Sequence, residues 1–195
     1  MSPAPGPATD ARPARTRRLL APLRVLVCCA LAAAAAACGA LDRGDEIETT
    51  VIQAVPVDQD AMLAQLNGYR ARSGLPALAH DPRLDAVSAD MALLIAEKDS
   101  MDTWAHSGFG LARRLDAAGY DHYAGAENLG AGYASLEAAF AGWRGSAGHD
   151  RNLLNPHVSR VGIARVARSD GKWRHFWVMT LARPQEDGRP PLARP

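Results

Sequence analysis

Apolar positions recur at helical spacing in several stretches of this chain and occupy both faces of a strand near its end. Met62, Leu63, Leu66 and Tyr69 fall together on one side of a 3.6-residue helix. Asp58 or Asp60 is placed to cap its start, and Ser73-Gly74 is placed to stop it. Pro76 bars a helix from running on through the next apolar residues, so 75–78 is a connector. Asp81-Pro82 then supplies a cap followed by proline at the first helical position. Leu84, Val87, Met91 and Leu94 continue it as a stripe at steps of 3, 4 and 3. A shorter helix is predicted over 111–118, closed by Gly119, and a fourth after Ser135, marked by Leu136, Phe140 and Trp143. Between these two, 123–133 (YAGAENLGAGY) holds so much glycine that it is predicted to be turn-like or irregular, with a short strand.

Two further strands are predicted over 158–167 and 172–182, joined around Asp170-Gly171, a strong hairpin signal. In the second, Trp173, His175, Trp177, Met179 and Leu181 share one face, and Arg174, Phe176, Val178 and Thr180 share the other. A strand with apolar residues on both faces must be covered on both. The predicted class is therefore α+β: a three-layer α-β-α sandwich around a central, mainly antiparallel sheet. Residues 51–57 are available to dock as an edge segment. After Arg183 the stretch 184–195 (PQEDGRPPLARP) has too little apolar content to pack. No internal repeat is visible.

Composition changes the picture at the N-terminus. Residues 1–37 carry five arginines and one acid, and end in thirteen uncharged residues, 25–37 (VLVCCALAAAAAA). That run is short for a membrane span, which needs about 20 residues, and suits the apolar core of an export signal. The remainder of the chain is mildly acidic, without the basic stripe that nucleic acid would require, so no nucleic-acid partner is expected. All three cysteines, Cys28, Cys29 and Cys38, lie in or beside the export segment. The stretch ending Ala35-Ala36-Ala37-Cys38-Gly39 resembles a bacterial lipobox, with Ala35 where leucine is usual. Cys38 is thus the candidate for lipidation and membrane anchoring, against simple cleavage and release of a soluble protein. The organisation expected is a signal of lipoprotein type (1–37), a tether (38–57), one folded domain (58–183) and a flexible Pro/Arg-rich tail (184–195). With no cysteine pair in the folded part, packing alone must stabilise it.

The sequence has no HExxH, CxxC pair, Walker loop or GxSxG elbow. What remains is His106 in WAHSGFG, Glu127 in AGAENLGAGY and His149 in SAGHDRNLLNP, separated by 21 and 22 residues. Two imidazoles and a carboxylate can hold zinc and leave a position for water. They can equally form a proton-transfer pair in which Glu127 orients an imidazole. Spacing alone does not bring the three together, and a loop histidine is ordinarily a surface or structural group.

The runs LNGYRARSGLPALAHDPRLDAVSADMA, AHSGFGLARRLDAAGY, AENLGAGY and GWRGSAGHDRNLLNPHVSRVGIA, in that order, resemble the bacterial branch of the CAP superfamily (cysteine-rich secretory proteins, antigen 5 and pathogenesis-related proteins). The resemblance covers about 58–183 and implies the same α-β-α sandwich. It also implies that His106, Glu127 and His149 line one cleft, where many members bind a divalent metal, often zinc. The fullest form of that cleft has a second glutamate three positions after the tryptophan of the fourth helix. Ser146 stands there in this chain, so that acid is missing and weaker metal binding is implied.

The expectation is a secreted or lipid-anchored binding module of the cell envelope, its cleft taking a divalent metal and a small-molecule or lipid ligand, or an envelope protein. A metal-dependent hydrolase of envelope peptides or esters is the alternative, disfavoured by the missing acid. A structural or adhesive protein with a vestigial cleft is the third reading. Asn128 is expected to hydrogen-bond backbone beside the cleft. Asn152 and Asn155-Pro156 are read as turn residues, and Trp143 and Trp177 as core. His80, His122, His157 and His175 are read as surface or structural. Ser146 with His149 lacks an oxyanion hole and an orienting acid, the remaining parts of a nucleophilic site.

Overall fold

The computed structural model describes residues 49–190; the expected export segment, Cys38 and residues 191–195 lie outside them. The sheet is organised around β5 (His175–Pro184), in which residues 176–183 are all buried. It pairs antiparallel with β4 (Arg160–Arg168) on one side and β3 (His122–Ala131) on the other. On the far side of β4, β1 (Ile52–Val55) pairs antiparallel with the end of that strand, and β2 (Ala79–His80) pairs parallel with its start. The order is β1-β4-β5-β3, and residues 52–55 do form an edge.

The alternation along β5 divides the core. Trp177, Met179 and Leu181 pack with Met62 and Leu66 of α1 (Gln59–Arg72), Phe140 and Trp143 of α4 (Leu136–Arg144) and Leu153 of α5 (Ala147–Leu153). Phe176 and Val178 pack with Met91, Ala92 and Ile95 of α2 (Pro82–Lys98). Ala182 joins Leu84 and Val87 of α2, Leu111 and Leu115 of α3 (Gly108–Ala117), and Tyr120. Helices therefore cover both faces of the sheet, giving the three-layer α-β-α sandwich.

The caps follow the sequence closely. Asp58 accepts a hydrogen bond from the Ala61 amide at 2.9 Å and starts α1. Asp81 accepts from the Arg83 amide at 3.0 Å, with Pro82 at the first position of α2. α1 ends at Ser73, and Gly74 takes the left-handed conformation at φ +71°.

Five local expectations are corrected. The glycine-rich 123–133 segment is mostly a ten-residue strand, β3, rather than irregular chain. Its glycines answer to close packing: a Cβ on Gly125 would come 3.2 Å from a Leu115 methyl, and one on Gly130 3.2 Å from the Trp143 indole nitrogen. α3 begins at Gly108, three residues early, because the Ser107 hydroxyl accepts from the Gly110 amide at 3.0 Å. The β4–β5 connection spans six residues, 169–174, and α5 occupies what was read as loop around His149. Over its described residues, 184–190, the stretch after Arg183 is also pinned rather than loose. The Asp187 side chain is 2% exposed and pairs with Arg183 at 3.0 Å and Arg189 at 2.6 Å, so ionic contacts hold it where apolar burial could not.

Candidate functional site

His106 ends a short 3₁₀ turn, Trp104–His106, between α2 and α3. Thr103 caps that turn, accepting from the Ala105 amide at 3.3 Å. The turn lies directly against α3: a Cβ on Gly110 would stand 2.6 Å from the Ala105 carbonyl oxygen, so only glycine admits this approach. Glu127 projects from the middle of β3 and its side chain is 2% exposed. The imidazole of His106, 35% exposed, lies over it with Nδ1 3.1 Å from Oε2. Facing a carboxylate, Nδ1 is the donor, which leaves Nε2 without a protein partner among the described residues.

Arg114 completes this cluster, and the motif reading missed it. Its Nη2 stands 2.7 Å from Glu127 Oε1 and 2.8 Å from Oε2, so one nitrogen engages both carboxylate oxygens. The same Nη2 donates to the Ala105 carbonyl at 3.3 Å, and Nη1 donates to the Val87 carbonyl of α2 at 3.3 Å. The sequence signal was faint: Arg114 stands three residues after buried Leu111 and so lies beside it on the helix, whereas its neighbour Arg113 does not.

His149 is the third residue of α5. An amide ladder fastens this helix to β3. Asn152 Nδ2 donates to the Glu127 carbonyl at 3.0 Å and to Asn128 Oδ1 at 2.9 Å, and Asn128 Nδ2 donates to the His149 carbonyl at 3.0 Å. Asn128 thus bonds backbone as expected, whereas Asn152 is a structural clamp within a helix rather than a turn residue. Asn155 does shape the turn, its Oδ1 accepting from the His157 amide at 2.8 Å. From the other side, Tyr69 donates to Asp150 at 2.7 Å. Arg70, wholly buried, donates to the carbonyls of Leu153 at 2.8 Å and Asn155 at 3.0 Å. Burial, with a smaller effect of the His106 charge, lowers the His149 pKa.

Between these elements lies an open cleft of about 270 Å³, lined by His106, Gly108, Leu111, Glu127, Asn152 and Asn155 among others. Ser146 occupies the N-cap position of α5 without a side-chain bond to the helix, and neither it nor His149 is among the lining residues, so of the three residues expected to share the cleft only His106 and Glu127 do. Trp143 and Trp177 are core, each with its indole N–H on a backbone carbonyl. As they stand, the residues do not fit a three-side-chain metal centre. Both oxygens of Glu127 face a guanidinium, and among the described residues no group of three His, Cys, Asp or Glu side chains is arranged to hold one ion.

The α-β-α sandwich is shared with known proteins. The fold is similar to that of an outer surface protein from Borrelia burgdorferi, at a TM-score of 0.59 and 19% identity over 69% of this chain and 100% of that one. It is also similar to an extracellular protein containing an SCP domain from Bacillus anthracis, at a TM-score of 0.53 and 24% identity over 66% of this chain and 45% of that one. The family model for CAP, the cysteine-rich secretory protein family, matches residues 63–181, and the chain belongs to that family. No curated protein matches the sequence. No helix among the described residues is long and apolar enough to cross a membrane.

Proposed function

We propose that this chain is an exported CAP-domain protein of the cell envelope that binds a small ligand in the cleft bounded by His106, Glu127 and Asn152. The observation that carries this reading is the composition of the cleft wall: a third-exposed imidazole held by a buried, fully engaged carboxylate beside about 270 Å³ of open space. That volume lies just below the range of ordinary small-molecule sites and suits a headgroup-sized moiety. His106, Asn152 and Asn155 offer polar contacts. Beside His106, Trp104 and Phe109 form an edge-to-face pair 5.7 Å apart, 62% and 65% exposed, which supplies apolar surface. A ligand with a polar head and an apolar portion matches both features. Export is supported by the arginine-bearing start and apolar run, and by the outer-surface and extracellular descriptions of the two similar structures.

The test is extraction of the full-length protein from a bacterial envelope, followed by mass spectrometry of the small molecules that remain bound. The wild type is expected to retain a discrete amphiphile that is depleted at least tenfold in His106→Ala. Identical extracts from both proteins would defeat the reading. Conversion of the bound molecule to a product on incubation would replace it with the hydrolase.

A further inference from the structure

We infer that the Arg114 guanidinium occupies the place of a divalent cation in this cleft, so that the site carries its own covalently attached positive charge. Toward the carboxylate the geometry is bidentate, although the histidine bonds the acid and not the guanidinium. One nitrogen, Nη2, lies 2.7 and 2.8 Å from the two oxygens of Glu127, and His106 Nδ1 is 3.1 Å from the second of those oxygens. The guanidinium is not a surface charge that has drifted onto an acid. Its side chain is 18% exposed and is fixed by the carbonyls of Val87 and Ala105, which belong to α2 and to the turn carrying His106. Arg114 Nε is buried with no hydrogen-bond partner. The head group is therefore oriented for Glu127 at the expense of one of its own donors.

Charge balance supports the same assignment. Among the described residues a single carboxylate, Glu127, lines the cleft, and the motif position of a second acid is filled by Ser146, which carries no charge and does not line it. One guanidinium against one carboxylate is neutral, whereas a divalent ion added beside Arg114 would leave two or more uncompensated positive charges at low exposure. A dication taking Glu127 as a bidentate ligand would also have to displace Arg114 from both oxygens. Arg114 is a positioning residue on this account: it locks the carboxylate that holds His106. The inference concerns the same cleft as the proposed ligand site, but a zinc titration requires no ligand, so either can fail without the other.

The experiment is calorimetric titration of zinc into the full-length protein at neutral pH, for the wild type, Arg114→Met, Arg114→Gln, Arg114→Lys and Arg114→Met/Glu127→Gln. Wild type and Arg114→Lys, which keep the charge, are expected to bind zinc at least tenfold more weakly than the neutral variants. The gain in Arg114→Met should disappear in the double variant, because the freed carboxylate is the ligand being exposed. Arg114→Gln keeps a polar head and covers the case in which the methionine variant fails to fold, with near-ultraviolet circular dichroism reporting native packing. Wild-type protein that binds zinc as tightly as the neutral variants, through His106 and Glu127, would overturn the inference. So would folded neutral variants that gain no affinity.

Discussion

His149 shows how a single residue's chemistry is set by surroundings that its own sequence context does not reveal. Burial, and secondarily the charge on His106, holds its pKa below the 6.5 of a free imidazole. As pH falls through about 6.5, the unfolded chain takes up a proton at this position that the folded chain accepts only at lower pH, so stability declines with acidification. His175, whose pKa is lowered by burial and by Arg165, acts in the same direction. Replacing His149 with asparagine removes one share of this dependence. Between about pH 7.5 and 5.5 the thermal midpoint of His149→Asn should fall less than that of wild type. Parallel slopes would mean that His149 protonates as freely in the folded protein as in the unfolded one.

Among elements, α1 and α2 carry the most testable packing, because they cover opposite faces of the same strand. Leu66 and Met91 are each wholly buried, one in the cluster against Trp177 and Leu181, the other against Phe176 and Val178. Truncating either to alanine should cost about 2–5 kcal/mol in urea unfolding. The two losses should add, since the sheet separates them. A neutral Leu66→Ala would contradict the core described here. The amphipathic stripes of these helices were legible in the sequence because helical period and burial coincide in them. β3 was not, because glycine is a poor local signal for a strand. At Gly125 and Gly130 the residue is used for close approach by Leu115 and Trp143, which come from elsewhere in the chain.

At the scale of the whole molecule, stability comes from apolar layers with an ionic clasp at the end of β5. Burial alone would raise the Asp187 pKa, but hydrogen bonds from Arg189 and Arg183 outweigh it and hold the carboxylate below its usual range. Asp187→Ala should cost about 3 kcal/mol in urea unfolding, toward the lower bound for unpairing a buried charge, since Arg189 is 37% exposed. A loss below that of ordinary surface substitutions would show that the clasp is incidental. All three cysteines precede residue 49, so reducing agent should leave the thermal midpoint unchanged. A drop on reduction would place a disulfide in the stabilising framework. For anchoring, fatty-acid labelling in a bacterial host should mark the wild type and not Cys38→Ala. Equal labelling, or none in either, would leave secretion without a lipid.

The sequence by itself determined the helix start at Asp81, narrowed the earlier one to Asp58 or Asp60, and set the two-faced burial of β5 and hence the three-layer architecture. Each of these depends on a local cap or on a periodicity that one strand or helix carries entire. Family motifs singled out His106, Glu127 and His149, but not what surrounds them. Only the tertiary structure decided that Glu127 is engaged by Arg114, that Asn152 clamps α5 to β3 and that Arg70 holds the loop behind it. Those contacts join residues 13 to 83 positions apart. A polar side chain has no periodic signature of its own, and its partner is fixed only when the sheet register and the helix docking are complete.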